Sequence, residues 1–243
     1  MPNWCGNQLS ISGPSDALLV FALAAKGNGE NGDLSLNNLH PCHQDLRDVS
    51  AGSDDIAFDV MFGDLERVTC YAWIPADVKE DREKLIEFLS AHYRRDMREI
   101  GQKMKDNLDK YGSKNWYEWS LANWGTKWDV DGSLSSQSDE HLSYNFDSAW
   151  SPPIEAFQKI SEDFPELTFD LEYFEPGMCF AGKVTWKNGS MVYEDHRNWS
   201  SDDVLEEIRD CGDFDFAASE AENLLEQMKE WEEEEAERAS ASV

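Results

Sequence analysis

The chain is short of positive charge: 21 Lys and Arg stand against 50 Asp and Glu, a formal net of −29 over 243 residues. A surface so acidic repels nucleic acid, anionic membranes and acidic substrates, and it draws basic proteins and cations. Cysteine is scarce as well. Cys5, Cys42, Cys70, Cys179 and Cys211 are odd in number and never closer than 28 residues, which argues against a disulfide framework or a CxxC redox pair and suits a reducing cytosol. No run of about 18 apolar residues is present to span a bilayer. The opening MPNWCGNQLSISG has neither the basic segment nor the apolar stretch of a signal peptide. A soluble, cytoplasmic protein is expected.

Signatures of catalysis are missing too. GxSxG, the phosphate-cradling GxxxxGK[ST] and HExxH do not occur, and His92, His141 and His196 sit in no local motif that ties them to a nucleophile. His40-Pro41-Cys42-His43 packs three potential ligands into four residues. No second ligand pair lies at zinc-like spacing, so a plain loop is the better reading. No cofactor, metal or catalytic residue is expected, and the chain reads as non-enzymatic.

What is present supports a core. Hydrophobic residues make up 40%, with 10 Trp and 12 Phe, enough bulk for a folded acidic protein rather than a disordered one. Leu9 and Ile11 alternate with polar neighbours as a strand from Gln8 to Gly13, and the apolar run Ala17–Ala25 predicts a helix that ends at Gly27-Asn28-Gly29. Leu34, Leu36 and Leu39 suggest a second strand. Leu85, Leu89, Tyr93, Met97, Ile100, Met104, Leu108 and Tyr111 recur at three and four, which predicts one helix of about 30 residues ending at Gly112. The polar stretch Asp131–Glu140 reads as a surface turn. Two further alternating strands surround Leu142–Phe146 and Leu167–Tyr173, with a helix opened by Pro152-Pro153 between them, and a hairpin turns at Asn188-Gly189.

These elements give an α+β class: a ferredoxin-like split β-α-β core with a helical insertion and an acidic C-terminal helix. Residues 1–200 form the domain, with the insertion at about 42–122, and residues 201–243 form an acidic helical segment with a frayed tail.

Three groups of residues carry candidate function. From Ser201 to Val243 there are sixteen acids and three bases, and Ala217, Ala221, Leu224, Met228 and Trp231 keep an apolar helical stripe beneath them. This segment is either a solubilising helix or a decoy for a nucleic-acid-binding surface. In the second case the contacts to a partner fall to Asp202, Asp203, Glu206, Glu207, Glu230, Glu232, Glu233, Glu234 and Glu235. A basic island, Arg94, Arg95, Arg98, Lys103, Lys105, Lys110 and Lys114, either docks the acidic tail or contacts an anionic ligand, and internal pairing is favoured. Finally, Trp124, Thr126, Lys127, Trp128 and Asp129, with Trp150, form either a Trp-rich core layer capped by a Lys-Asp contact or a small pocket or peptide groove.

Pro2-Asn3-Trp4-Cys5-Gly6-Asn7, Trp124-Gly125-Thr126-Lys127-Trp128-Asp129 and Ala149-Trp150-Ser151-Pro152-Pro153 together resemble the YubB-like proteins of conjugative plasmids and phages. The likeness covers approximately Pro2 to Gly189. It implies a ferredoxin-like domain and a mobile-element setting, and it assigns no functional residue. The expected function is that of an acidic binding protein without direct nucleic-acid or membrane binding. It would engage the basic surface of a host protein in the host cytosol, as a nucleic-acid mimic that inhibits a defence nuclease or CRISPR-type effector. Two alternatives stay open: an RNA- or nucleotide-binding sheet using exposed Trp124, Trp128 or Trp186, and an enzyme of unrecognised class.

Overall fold

The computed structural model of the chain describes residues 3–26, 32–198, 202–210, 212 and 215–240, and in the last two helices the side chains of 205–210, 215–230, 233 and 238. The chain divides into two units, Met1–His40 with Trp124–Val243, and Pro41–Asn123. The first unit opens with β1 (Trp4–Ser12), α1 (Ser15–Ala25) and the single turn α2 (Leu36–Leu39). The second unit follows as α3 (Gln44–Arg47), α4 (Asp55–Met61), α5 (Glu66–Thr69), α6 (Ala76–Lys79), α7 (Arg82–Tyr93), α8 (Met97–Tyr111) and α9 (Trp116–Asn123). The chain then returns to the first unit as β2 (Ser133–Gln137), β3 (His141–Ala149), α10 (Ile154–Asp163), β4 (Thr168–Glu175), β5 (Phe180–Lys187), β6 (Ser190–Asn198), α11 (Asp202–Asp210) and α12 (Asp215–Ser240).

The strands form one sheet in the order β2-β3-β1-β4-β5-β6, and every neighbouring pair is antiparallel. Strand β3 lies between β1 and β2, which splits the β1-α1-β2 unit, and β4 lies on the other side of β1. The class is α+β, and the four-strand core has the ferredoxin-like order with the β5–β6 hairpin added at one edge. Asn188 and Gly189 both take positive φ, at 50° and 71°, the backbone that a tight hairpin turn demands.

Three sequence expectations need correction. The strand expected at Leu34–Leu39 is the helical turn α2, capped by Ser35, whose hydroxyl accepts from Asn38 N. The second strand of the core is instead β2, inside the stretch read as a surface turn. It is an edge strand with mostly exposed positions, so polar residues suffice there and no apolar alternation marks it. The single 30-residue helix is two helices, because Arg94 closes α7 in the left-handed conformation and Asp96 caps α8 by accepting from Arg98 N and Glu99 N. The apolar stripe runs on across the break, which conceals it. The glycines expected to end α1 lie outside the described residues.

In the second unit Ala57, Val60, Leu85, Leu89, Ile100 and Met104 share one core. Gly101 lets α8 close on α4, since a Cβ there would stand 2.7 Å from the Ala57 carbonyl oxygen. Among the described residues, six of the seven bases of the island, all but Arg94, are paired within this unit. Arg95 holds the buried Asp54 with both guanidinium nitrogens, Arg98 meets Glu83, Lys103 meets Glu99 at 3.1 Å, Lys110 meets Asp45 at 3.2 Å, and Lys114 meets Glu118 at 2.9 Å. Internal pairing was expected, but these partners are local carboxylates and not the acidic tail.

The sheet of the first unit is covered on both faces. On one, Leu9, Ile11, Tyr144, Phe169 and Trp186 are buried. The ring of Phe21 from α1 packs 5.5 Å from Phe169, and that of Phe157 from α10 packs 6.4 Å from Trp186. On the other, Phe174 and Ala181 meet Leu205 and Ile208 of α11 and Ala217 and Ala221 of α12. The small residues let α12 lie close to the strands. Glu172 accepts from Ala217 N at 2.9 Å and so places a carboxylate at the positive end of α12. Burial of each large aliphatic side chain contributes on the order of 1.5–3 kcal/mol, so α11 and the first turns of α12, through Leu225, belong to the sheet layer. Replacing Ile208 with Ala should therefore lower unfolding stability by roughly 2–5 kcal/mol in urea titration. It should also hasten protease cleavage after residue 200 before the sheet itself is cut.

Candidate functional site

The three motif segments meet at one end of the sheet. Trp4 pairs with Ala149 and Cys5 with Ser148 across β1 and β3. The buried Asn7 amide donates to Cys5 O at 2.7 Å, Phe146 O at 3.3 Å and Ser148 Oγ at 2.9 Å. Ser148 Oγ in turn donates to Ser151 O at 2.8 Å, and Ser151 Oγ to Gly125 O at 2.5 Å. Thr126 Oγ1 donates to Ala149 O at 2.9 Å, and Trp150 N to Asn3 O at 3.0 Å. Buried polar groups are costly unless paired, and here small hydroxyls and one amide bind three distant stretches of chain into one knot.

That knot sorts the expected pocket residues. Trp124 is buried and donates through Nε1 to His40 O at 2.9 Å. Thr126 is buried in the knot. Asp129 accepts from Ser35 Oγ at 2.7 Å and from Asn37 N at 3.1 Å, which fixes α2. These three are structural, so the expected Lys-Asp cap is a correction: Lys127 lies instead over the Trp128 ring, 4.7 Å from its centre. Three tryptophans of the motifs face solvent: Trp4 is 50% exposed, Trp128 37% and Trp150 44%. The Trp4 and Trp128 rings lie 6.0 Å apart. Trp150 holds a φ of 73°, a conformation that costs a bulky L-residue of order 1–3 kcal/mol.

Beside Trp4, between the sheet and α12, runs a cleft of about 220 Å³ lined by Trp4, Gly6, Asp147, Glu220, Asn223 and Gln227. An adjoining hollow of about 340 Å³ shares Gly6, Asp147 and Glu220 and adds Asp131. Burial pushes the Asp147 carboxyl up from its ordinary 3.8. Burial first, and then the charge of Asp147, push Glu220 up from its ordinary 4.5. Among the described residues neither has an ion-pair partner. The cleft therefore has an indole wall and two carboxylates whose charge the fold leaves uncompensated, a surrounding that suits an ammonium or guanidinium group.

Sequence reasoning missed Trp4, Asp147 and Glu220 as site residues. The alternation of β1 and β3 puts Trp4 and Asp147 on the outward strand face, and that signal was available. Glu220 was hidden among many like residues until α12 was placed. Of the expected tail contacts, Glu206, Glu207, Glu230 and Glu233 are exposed, whereas the side chains of Asp202, Asp203, Glu232, Glu234 and Glu235 lie outside the described residues. Trp186 is buried, so of the three tryptophans of the RNA-binding alternative only Trp128 is accessible. Among the described residues no cluster of three or more His, Cys, Asp or Glu could hold a metal. The His43 ring stacks on Tyr111 at 4.4 Å, and the His196 ring nitrogens meet Tyr173 Oη and Asn198 Oδ1 rather than a carboxylate.

Residues 123–215 match the family model of the ferredoxin-like domain in Api92-like protein. The match supplies the ferredoxin-like domain and does not carry the YubB-like name. A crystal structure of the protein api92 from Yersinia pseudotuberculosis is similar over 83% of this chain and 99% of its own, at 16% identity and a TM-score of 0.39. No curated protein matches. No helix among the described residues is long and apolar enough to cross a membrane.

Two outcomes follow from the geometry. Asn7→Ala should destabilise the chain by about 1–3 kcal/mol, since the two N–H groups of its amide are shared among three buried acceptors, whereas Trp4→Ala and Trp128→Ala should each cost less than about 1 kcal/mol at their exposed positions. Chemical denaturation of the three variants checks this. A carboxyl whose pKa is raised on folding adds stability that is fully present below its ordinary value and is lost as pH rises through the raised one. Asp147→Asn and Glu220→Gln should accordingly raise the urea midpoint at pH 7 and flatten its dependence between about pH 4 and neutrality.

Proposed function

We propose that this protein is a non-enzymatic acidic binding module that engages a basic, nucleic-acid-binding surface of another protein and competes there with nucleic acid. The observation that carries the reading is a stripe on α12. Glu222, Glu226, Glu230 and Glu233 are all exposed and succeed one another at four, four and three residues, so they share one side of the helix with a rise of about 6 Å per four residues. Like charges at this spacing weaken an isolated helix by a few tenths of a kcal/mol per pair. The helix is held by its docking through Ala217 and Ala221 instead. A basic partner would relieve the repulsion, which makes binding the event that compensates it.

Magnitude sets the limit of the mimicry. Four carboxylates over twelve residues span roughly 17 Å, a spacing of about 5.5 Å between charges, against one charge per about 1.7 Å for duplex DNA. The stripe alone steers a basic surface, and Glu206, Glu207 and the Trp4 cleft with Asp147 and Glu220 add to it by accepting an arginine or lysine from the partner. A phage or plasmid setting, a cytosolic location and a host nuclease or CRISPR-type effector as partner belong to the same proposal.

Affinity capture from bacterial lysate at low and high salt tests it, comparing the natural chain with one carrying Glu222→Gln, Glu226→Gln, Glu230→Gln and Glu233→Gln. The expected catch is a nucleic-acid-binding protein that is released by salt and by added duplex DNA and is at least ten-fold depleted with the variant. A catch indifferent to salt, to DNA and to the four substitutions sinks the reading.

A further inference from the structure

Helix α1 is apolar on both sides. Leu18, Phe21 and Ala25 face the core, yet Leu19, Val20 and Leu23 on the outward side are 56%, 59% and 68% exposed. A helix apolar all round is ordinarily buried. Leu19 and Leu23 stand at i and i+4, with Val20 beside them, so the three form one contiguous patch rather than scattered surface residues. In a chain of net charge −29 an uncovered aliphatic helix face is out of keeping with the rest of the surface.

The patch continues into a groove of about 260 Å³, floored by Val20, Phe164 and Pro165 and edged by Asp16, Asp163 and Glu166. The one base described at the end of α1, Lys26, faces Asp33 at 3.7 Å. The surface is thus an aliphatic ridge with an acidic border. We infer that the outward face of α1 is a docking surface for an amphipathic helix whose apolar side meets Leu19, Val20 and Leu23 and whose lysine or arginine residues meet Asp16, Asp163 and Glu166. Charge complementarity selects this occupant. A second copy of the chain would bring the same three carboxylates and a further net charge of −29 against the border. The site stands on the opposite face of the sheet from α12, and it holds whether or not α12 binds a partner.

The test uses the full chain and two synthetic 18-residue helical peptides with the same leucine face, one carrying lysine and the other glutamate on its polar side. Binding is followed by fluorescence anisotropy and by amide chemical-shift mapping. The lysine peptide is expected to bind, to shift the amides of α1 and of residues 163–167, and to lose at least ten-fold in affinity with Leu19→Ser plus Leu23→Ser, a change that leaves charge untouched. Asp163→Asn plus Glu166→Gln should weaken it and reduce its salt dependence, and Glu222→Gln plus Glu226→Gln should not. The glutamate peptide should not bind. The proposal is overturned if the lysine peptide shifts only α12, if the serine variants bind it as well as the natural chain does, or if sedimentation shows a dimer that the serine variants abolish.

Discussion

The hydrogen-bonded knot around Asn7 is the constraint on which the first unit rests. Strand β1 is the hub of the sheet, paired with β3 on one side and β4 on the other, and the Asn7 amide ties it to Ser148 and through Ser151 to the loop at Gly125. Gly125 takes a φ of +77° there, with Glu155 and Pro152 where a side chain would begin. Each bond is worth only about 1 kcal/mol net. Their joint effect is positional: with the backbone fixed by buried groups, Trp4, Trp128 and Trp150 can be turned to solvent without loosening the core.

The acidity of the chain is distributed in two ways. In the second unit most bases sit against nearby carboxylates, and the exposed pairs, such as Arg98 on Glu83 and Lys103 on Glu99, contribute little to stability. Along α12 the described carboxylates outnumber Lys229 and Arg238, and Glu220 and Glu222 sit on the stretch that packs on the sheet through Ala217, Ala221 and Leu225. Carboxylates held on a docked helix are fixed charges, and fixed charges lose less entropy when a partner aligns with them.

Much of this was legible in the sequence, for reasons that differ by element. Alternation of Leu9 and Ile11, and of Leu142, Tyr144 and Phe146, revealed strands because those faces are buried. Asn188-Gly189 revealed its hairpin because few other pairs accept two positive φ values. Strand β2 escaped notice because an edge exposed to water needs no apolar residues. The α7–α8 break escaped because one core stripe serves both helices. For the site, the motif residues could be named but not sorted. Trp4 is sorted by the register of β1 on β3, whereas Trp124 and Trp128, between α9 and β2, are sorted by long-range hydrogen bonds such as those to His40 and Ala149.

Trp124 has one more consequence. Its indole bonds to the carbonyl of His40, so the points where the chain leaves the sheet unit and comes back to it, on either side of Pro41–Asn123, are stapled together. A detour closed at its base is nearly indifferent to its own length, since doubling a loop costs only about 0.6 kcal/mol in closure entropy. The helical unit is in that sense a graft, free to change in size and content while the ferredoxin-like unit keeps its form.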